Sequence, residues 1–240
     1  SRKITEDTCK KFNVRVDVGP VIRFPYYSGS QVVAYKERDK GKNFSWQGKN
    51  EENQLFGQQC FGSGKTIVIT EGEMDALSVW QARPNWPVVS VPNGAKAARK
   101  ALQHQLQYLL GFKEIVLMFD QDDAGQAAAE ECVNLFPSDQ VFIATLSSYK
   151  DASEALQAGD GDAIRQAVWN KRSYVPQSIL DGRDLFDLVS SPLHGKDADY
   201  PYDDLNRVTG GLRRGELVTL TAGSGTGKST ICGEIAVHLI

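Results

Sequence analysis

The sequence is short of cysteine, of long apolar runs and of net charge, and each shortage closes a class. Its four cysteines, Cys9, Cys60, Cys132 and Cys232, stand far apart with no CxxC pair. That disfavours a zinc knuckle or a disulfide framework and favours separate reduced thiols in a cytosol-type compartment. No apolar stretch approaches the roughly 18 residues of a membrane span, so no membrane partner is expected. No charged-then-apolar signal segment opens the chain. A net charge of −3 carries no overall nucleic-acid signature, so any polyanion contact must be a local patch. What is present is ordinary globular composition, 41% hydrophobic and 24% charged over 240 residues, enough for one large domain or one domain plus part of another. A first residue that is Ser1, and a last one, Ile240, inside a helical pattern, read as a piece of a longer protein.

Two acidic stretches organise the chain: Thr70-Glu71-Gly72-Glu73-Met74-Asp75 and Phe119-Asp120-Gln121-Asp122-Asp123-Ala124-Gly125. Each follows a short apolar run, Ile67-Val68-Ile69 or Ile115-Val116-Leu117-Met118, and each opens a helical pattern. Both clusters are therefore expected at the carboxyl ends of strands, the edge of an open α/β sheet where ligands bind. Carboxylates gathered there raise one another's pKa unless a cation joins them, and an all-oxygen set suits Mg²⁺ or Mn²⁺. Glu71, Asp120 and Asp122 lie nearest the strand ends and could hold one or two such ions for phosphoryl transfer. Glu71 could instead be a general base for an attacking 3′-hydroxyl. Asp75, one helical turn from Glu71, could face the same cleft. The competing reading is helix capping, which suits Asp122 or Asp123 but not Asp120; of the two, Asp123 is taken as the cap. Lys150-Asp151 adds a cation and an acid at the same edge, although Asp151 also suits the N-cap of a helix from Ala152 to Leu156.

Around these clusters, the pattern predicts strands over 66–70, 87–91, 114–119 and 140–146. Helices are predicted over 73–83, 95–109, 123–136 and in the region 151–170. This rhythm implies a mostly parallel sheet covered by helices. Residues 1–14 read as a short amphipathic helix, with Ile4, Thr8 and Phe12 at spacings of four. Residues 21–24 and 31–35 read as strands flanking the turn Ser28-Gly29-Ser30. Next come Lys36, Arg38, Lys40, Lys42 and Lys49, with Phe44 and Trp46 among them. They are either a solvated edge or a grip on single-stranded nucleic acid through phosphates and bases. Residues 179–189 give an amphipathic helix inside a polar linker.

Residues 215–221 read as a turn and buried strand before Ala222-Gly223-Ser224-Gly225-Thr226-Gly227-Lys228-Ser229-Thr230 and a helix start. Strand, glycine loop, Gly-Lys-Ser and helix follow the order a P-loop requires. Backbone N–H groups around Gly223, Ser224, Gly225, Thr226 and Gly227 would cradle phosphate oxygens. Lys228 would reach the β and γ phosphates, and Ser229, followed by Thr230, would ligate Mg²⁺. Ala222 replaces the first glycine of the usual pattern.

The run Glu71 to Asp75 followed by Asp120-Gln121-Asp122 resembles the TOPRIM domain shared by primases and topoisomerases. Further segments narrow the resemblance: Arg38-Asp39-Lys40-Gly41-Lys42-Asn43-Phe44, Asn93-Gly94-Ala95, Met118 to Gly125, and Lys150 to Glu154. Gly210 to Leu217 and the P-loop then resemble the start of a RecA-like hexameric helicase domain. In this order the chain resembles the bifunctional primase–helicases of T7-like phages, whose relatives include the mitochondrial Twinkle helicase. The resemblance implies an α/β fold of TOPRIM type, with a small basic β-rich N-terminal subdomain (1–62), the TOPRIM domain (63–171), a linker (172–202) and a truncated RecA-like segment (203–240). It implies synthesis of short RNA primers from ribonucleotides on a single-stranded DNA template. Glu71 would be the catalytic acid, Asp120 and Asp122 metal ligands, and Asp75 and Asp151 their support. Lys36, Arg38, Lys40 and Lys42 would contact nucleotide phosphates or template.

A homo-oligomeric ring driving DNA unwinding by NTP hydrolysis, a replicative DNA polymerase as partner and the cytoplasm of a bacterial host complete the expectation. The family's zinc module would precede Ser1. Two other readings stand beside it: a non-catalytic single-stranded-DNA-binding and oligomerisation module, and a TOPRIM nuclease.

Overall fold

The structure, a computed structural model, describes residues 2–16, 21–174, 190 and 195–240, and the chain divides into two units, Ser1–Pro176 and Gln177–Ile240. The expected helix 179–189 lies outside the described residues.

Helix α1 (Glu6–Phe12) is shorter than its pattern predicts. Thr5 caps it by accepting the Thr8 N–H, and Asn13 closes it in the left-handed region. Four antiparallel strands follow in the order β1 (Arg15–Val16), β2 (Ile22–Ser28), β3 (Gln31–Arg38) and β4 (Phe44–Gly48). The β2–β3 turn falls on Gly29 and Ser30, where expected. Phe24, Tyr26, Ala34 and Lys36 are buried, whereas every residue of β4 is exposed.

The second sheet holds β5 (Gly64–Thr70), β6 (Val88–Ser90), β7 (Phe112–Met118), β8 (Val141–Ile143) and β9 (Arg172–Ser173). Its order is β6-β5-β7-β8-β9, parallel except for β9. The crossovers are α2 (Glu73–Ala82), α3 (Ala95–His104) with α4 (Leu106–Leu109), α5 (Asp123–Val133), and α6 (Ala152–Ala158) with α7 (Gly161–Trp169). Strand alternation sorts the core. Val68, Val88 and Val116 pack with Leu77 and Val79 of α2, Ala155 of α6 and Ile164 of α7. Ile67, Ile69, Ile115 and Leu117 pack with Ala98 and Leu102 of α3 and Ala129 and Cys132 of α5. A side chain of this kind contributes ~1.5–3 kcal/mol when fully buried. The helices after β5 and β7 thus lie on opposite faces, which opens a crevice between the ends of those two strands.

Two expected helices come out divided. The helix over 95–109 breaks at Gln105, whose buried amide donates to the Glu52 carbonyl and accepts from Gln58, turning the chain to meet the loop before β5. The region 151–170 breaks at Gly159, and Asp160 caps α7 through the Ala163 N–H.

In the second unit, a bridge between Ala198 and Leu212 closes the segment that contains α8 (Asp203–Thr209), and α9 (Lys228–His238) follows. The strand expected within 215–221 is absent: this run is irregular, with Leu217 93% exposed. A strand exists only by pairing, and none of the described residues pairs with this run.

Candidate active site

Parallel register sets Thr70 of β5 beside Met118 of β7. Glu71 and Asp120, just beyond those positions, therefore come to the same sheet edge. A cavity of about 510 Å³ opens there, with Glu71, Glu73, Asp75, Asp120 and Asp151 among its lining residues. Arg2, Lys36, Arg38, Phe44 and Trp46 line it as well, brought by the N-terminal segment and by β3 and β4.

Glu71 leaves β5 and accepts the Ala95 N–H on Oε1 at 3.1 Å, while its Oε2 is buried with no hydrogen-bond partner. Burial, followed by the Glu71 and Asp151 charges, pushes Asp120 up to about 7, against the opposing pull of Lys150. Burial also raises Asp75 well above the ordinary carboxylate range. Asp151 adds to that shift, and the Ser153 N–H bonded to Asp75 Oδ1 at 2.9 Å opposes it.

Asp122 and Asp151 show how the capping and ligand readings overlap. Asp122 caps α5 by accepting the Gly125 N–H at 2.9 Å and pairs with Lys150 at 2.9 Å, and both contacts hold its carboxyl below the usual range. Asp123 is the first residue inside the helix, so the cap expected of Asp123 is made by Asp122 instead. The reason is geometric: the extended backbone at Asp122 lets its carboxylate reach back over the first turn. Asp122 lies outside the cavity lining. Asp151 caps α6 through the Glu154 N–H at 2.7 Å and also lines the cavity.

The basic residues separate in the same way. Lys36 is 7% exposed, bonded to Glu73 and to the Pro92 carbonyl, each at 2.8 Å. Arg38 lines the cavity, with its guanidinium carbon 5.3 Å from the centre of the Phe44 ring. Lys40 and Lys42 are exposed on the β3–β4 turn, outside the lining. Arg2 escaped the sequence reading. It reaches the cavity because Gln81 of α2 holds the Thr5 N–H and the Lys3 carbonyl, and its guanidinium donates to Ser153 Oγ at 3.0 Å. No local pattern marks such a residue, since its place depends on side chains far along the chain.

In the second unit, Gly223 to Gly227 form a loop running into α9. Gly227 has φ +89° at the helix N-cap, a conformation that favours glycine. Lys228 folds over this loop, donating to the Ala222 and Gly223 carbonyls at 2.9 and 2.7 Å. Thr226 Oγ1 donates to the Gly223 carbonyl at 2.7 Å. Ser229 and Thr230 follow in the first turn of α9.

Among the described residues, no three His, Cys, Asp or Glu side chains converge as a ready-made metal cluster. The donor set nonetheless suits a hard divalent cation. Glu71 Oε2 lacks a partner, and burial, with the Asp151 charge beside them, raises both Asp75 and Asp120, a penalty that a bound cation would relieve.

A parallel sheet with acids at the ends of two adjacent strands defines the class, and residues 68–156 match the Toprim-like family. The chain is 38% identical over 247 aligned positions to the DNA helicase/primase of Enterobacteria phage T3, covering 99% of this chain and 43% of that protein. It matches the crystal structure of the primase fragment of the bacteriophage T7 primase-helicase protein with TM-score 0.66 and 38% identity, over 70% of this chain and 72% of that one. A second T7 structure shows primase domains of two subunits bound to an RNA/DNA hybrid and dTTP, interacting with the lagging-strand DNA polymerase. It matches with TM-score 0.68 and 37% identity over 72% of this chain and 90% of that one. The chain belongs to the T7-like phage primase–helicase family, and it spans less than half the length of the curated T3 relative.

Proposed function

We propose that this chain carries the primer-synthesising centre of a replicative primase–helicase, joining ribonucleotides on a single-stranded DNA template. The observation that carries this reading is the two-signed cavity. Glu71, Asp75, Asp120 and Asp151 share it with Arg2, Lys36 and Arg38, which suits a triphosphate and a nucleic-acid backbone entering together.

Glu71 and Asp120 would hold Mg²⁺ or Mn²⁺, with Asp122, Asp75 and Asp151 supporting them. Once bound, such an ion would neutralise charge on the reacting phosphate and orient it. The protein's own side chains do the rest. Lys36 and Arg38 bind phosphate oxygens, with Lys40 and Lys42 drawing the polyanion towards the rim. The Ala95 N–H fixes Glu71 Oε1, leaving Oε2 free to receive a cation or the proton of the attacking 3′-hydroxyl. Phe44 and Trp46, 51% and 37% exposed, offer faces on which a base can stack.

We further infer the finer division into a basic subdomain (1–62), a TOPRIM domain (63–171), a linker (172–202) and the start of a RecA-like domain (203–240). The full-length protein would assemble as a ring, use the P-loop for NTP hydrolysis, meet a replicative DNA polymerase and act in the cytoplasm of a bacterial host. The T7 structure with polymerase and RNA/DNA hybrid supports the partners.

The test is primer synthesis from NTPs, Mg²⁺ and single-stranded template. Glu71→Gln and Asp120→Asn should each abolish it. Unchanged primer yield in both would leave a binding module, and metal-dependent nicking without primers would leave a nuclease.

A further inference from the structure

Glu73 stands in the acidic motif but is not available in the way its neighbours are. It opens α2 and is 3% exposed, and its Oε1 accepts from Tyr26 OH at 2.5 Å and from Lys36 Nζ at 2.8 Å. Tyr26 is wholly buried on β2, and burial next to the Glu73 charge holds its phenol protonated, so it acts as a donor. Lys36 on β3 uses a second donor on the Pro92 carbonyl at 2.8 Å and lies 4.5 Å from the centre of the Phe44 ring. An ammonium has three donors, so one is left for the cavity that Lys36 lines.

This arrangement is costly on stability grounds alone. A buried ion pair is often no more stabilising than apolar residues of the same volume, whereas removing one partner strands the other charge. The pair does something an apolar contact cannot. It ties two strands of the N-terminal sheet to α2 and to the loop after β6. That loop leads into α3, whose first residue, Ala95, donates the N–H that fixes Glu71.

We propose that Glu73 is a positioning residue: with Tyr26 it holds the Lys36 ammonium at the cavity wall to receive a phosphate of the incoming nucleoside triphosphate. It is not a metal ligand. The proposal rests on the primase reading for the identity of the nucleotide, but the position of Lys36 can be tested without catalysis.

The experiment compares Glu73→Gln and Tyr26→Phe with the parent, all three as full chains that also carry Lys228→Ala, so that the glycine-rich loop of the second unit does not add to the nucleotide readout. It uses fluorescent ATP binding in EDTA, Mn²⁺ binding by electron paramagnetic resonance without nucleotide, and KM and kcat for dinucleotide synthesis. Loss of one charge-assisted contact predicts about tenfold weaker ATP binding in EDTA for Glu73→Gln, and a KM raised by about as much. Mn²⁺ affinity stays within about twofold and kcat within about threefold. Tyr26→Phe moves the same two readouts in the same direction, by roughly two- to threefold. Mn²⁺ binding weakened tenfold or more in Glu73→Gln makes Glu73 a ligand and overturns the proposal. Unchanged ATP binding and KM reduce the pair to a structural one and overturn it too. Should Glu73→Gln unfold, Tyr26→Phe decides by the same readouts. A parent chain that binds ATP but makes no dinucleotide counts against the primase reading alone, and the EDTA measurement still judges the role of Glu73.

Discussion

Glu71 Oε1 accepts the Ala95 N–H at 3.1 Å, and the same carboxylate buries Oε2 without a partner. Glutamine keeps the shape and the acceptor at Oε1 but removes the negative charge. Glu71→Gln should therefore lower primer synthesis at least about a hundredfold, the scale of a lost general base or metal ligand. It should leave the melting temperature equal to or above the parent's, because one of several crowded charges is gone. A thermal melt beside a primer assay reads both. A parallel fall in melting temperature and activity would make Glu71 a fold residue.

The crowding gives a pH dependence of definite sign. Asp120 is pushed from 3.8 to about 7 by burial and then by Glu71 and Asp151, and Asp75 is raised for similar reasons. Both acids bind protons more tightly in the folded state. The stability they lend is complete below the unfolded carboxylate range and is lost as pH rises through the folded value near 7. In EDTA the melting temperature should fall between pH 5.5 and pH 8. Asp120→Asn should flatten that slope, and saturating Mg²⁺ should raise the pH 8 value most. Differential scanning fluorimetry across this range checks all three, and a slope unaffected by Asp120→Asn would remove Asp120 as its source.

Asp122 has two candidate roles that one substitution separates. Asparagine caps a helix about as well as aspartate, whereas alanine costs ~1 kcal/mol at this position. Asp122→Asn should keep the parent melting temperature, while Asp122→Ala should lose stability of that order. If Asp122 also supports the metal, Asp122→Asn should weaken Mn²⁺ binding at least about threefold with no thermal change. Mn²⁺ binding equal to the parent's would confine Asp122 to its cap.

The site was legible as far as local signals reach. Apolar runs ending in acids located β5 and β7, and their parallel pairing places Glu71 and Asp120 side by side. The hairpin turn and the aromatics Phe44 and Trp46 carried enough pattern to be noticed. Three things were not readable. Arg2 depends on Gln81 clasping the segment before α1, through contacts 76 and 78 residues apart in sequence. The break at Gln105 depends on a buried amide finding Gln58 and Glu52 rather than on any helix-breaking residue. The choice of Asp122 over Asp123 as cap depends on backbone angles that spacing alone leaves open. The run 215–221 errs the other way: its composition suits a strand, but pairing is a property of neighbours.

Gly125 is where the site constrains the backbone most tightly. A Cβ there would meet the Asp120 carbonyl oxygen at 2.3 Å and its carbonyl carbon at 3.0 Å, and backbone cannot step aside as a side chain can. Gly125→Ala should destabilise by roughly 1–3 kcal/mol, on the scale of overpacking in a core. Primer synthesis should fall even at temperatures where the variant is fully folded, because Asp120 must shift. A variant with parent stability would show that α5 can move away from the β7 end without cost. Chemical denaturation with the linear extrapolation measures it.

The glycine-rich loop before α9, proposed above as a P-loop, offers a separable test. Every residue lining the acid cavity belongs to the first unit, whereas Lys228 and the loop it folds over belong to the second. Lys228 is the loop's cation, and alanine removes the group that would reach the β and γ phosphates. In the full-length protein, Lys228→Ala should abolish NTP hydrolysis and unwinding while basal primer synthesis on a short template stays within about twofold. That margin is far below the roughly thousandfold losses typical of deleted catalytic groups. The contrast depends on the template. On long single strands, where translocation delivers priming sites, primer yield should fall with hydrolysis. On a short oligonucleotide, where delivery is not needed, it should not. Equal loss on both templates would mean that one nucleotide site serves both activities.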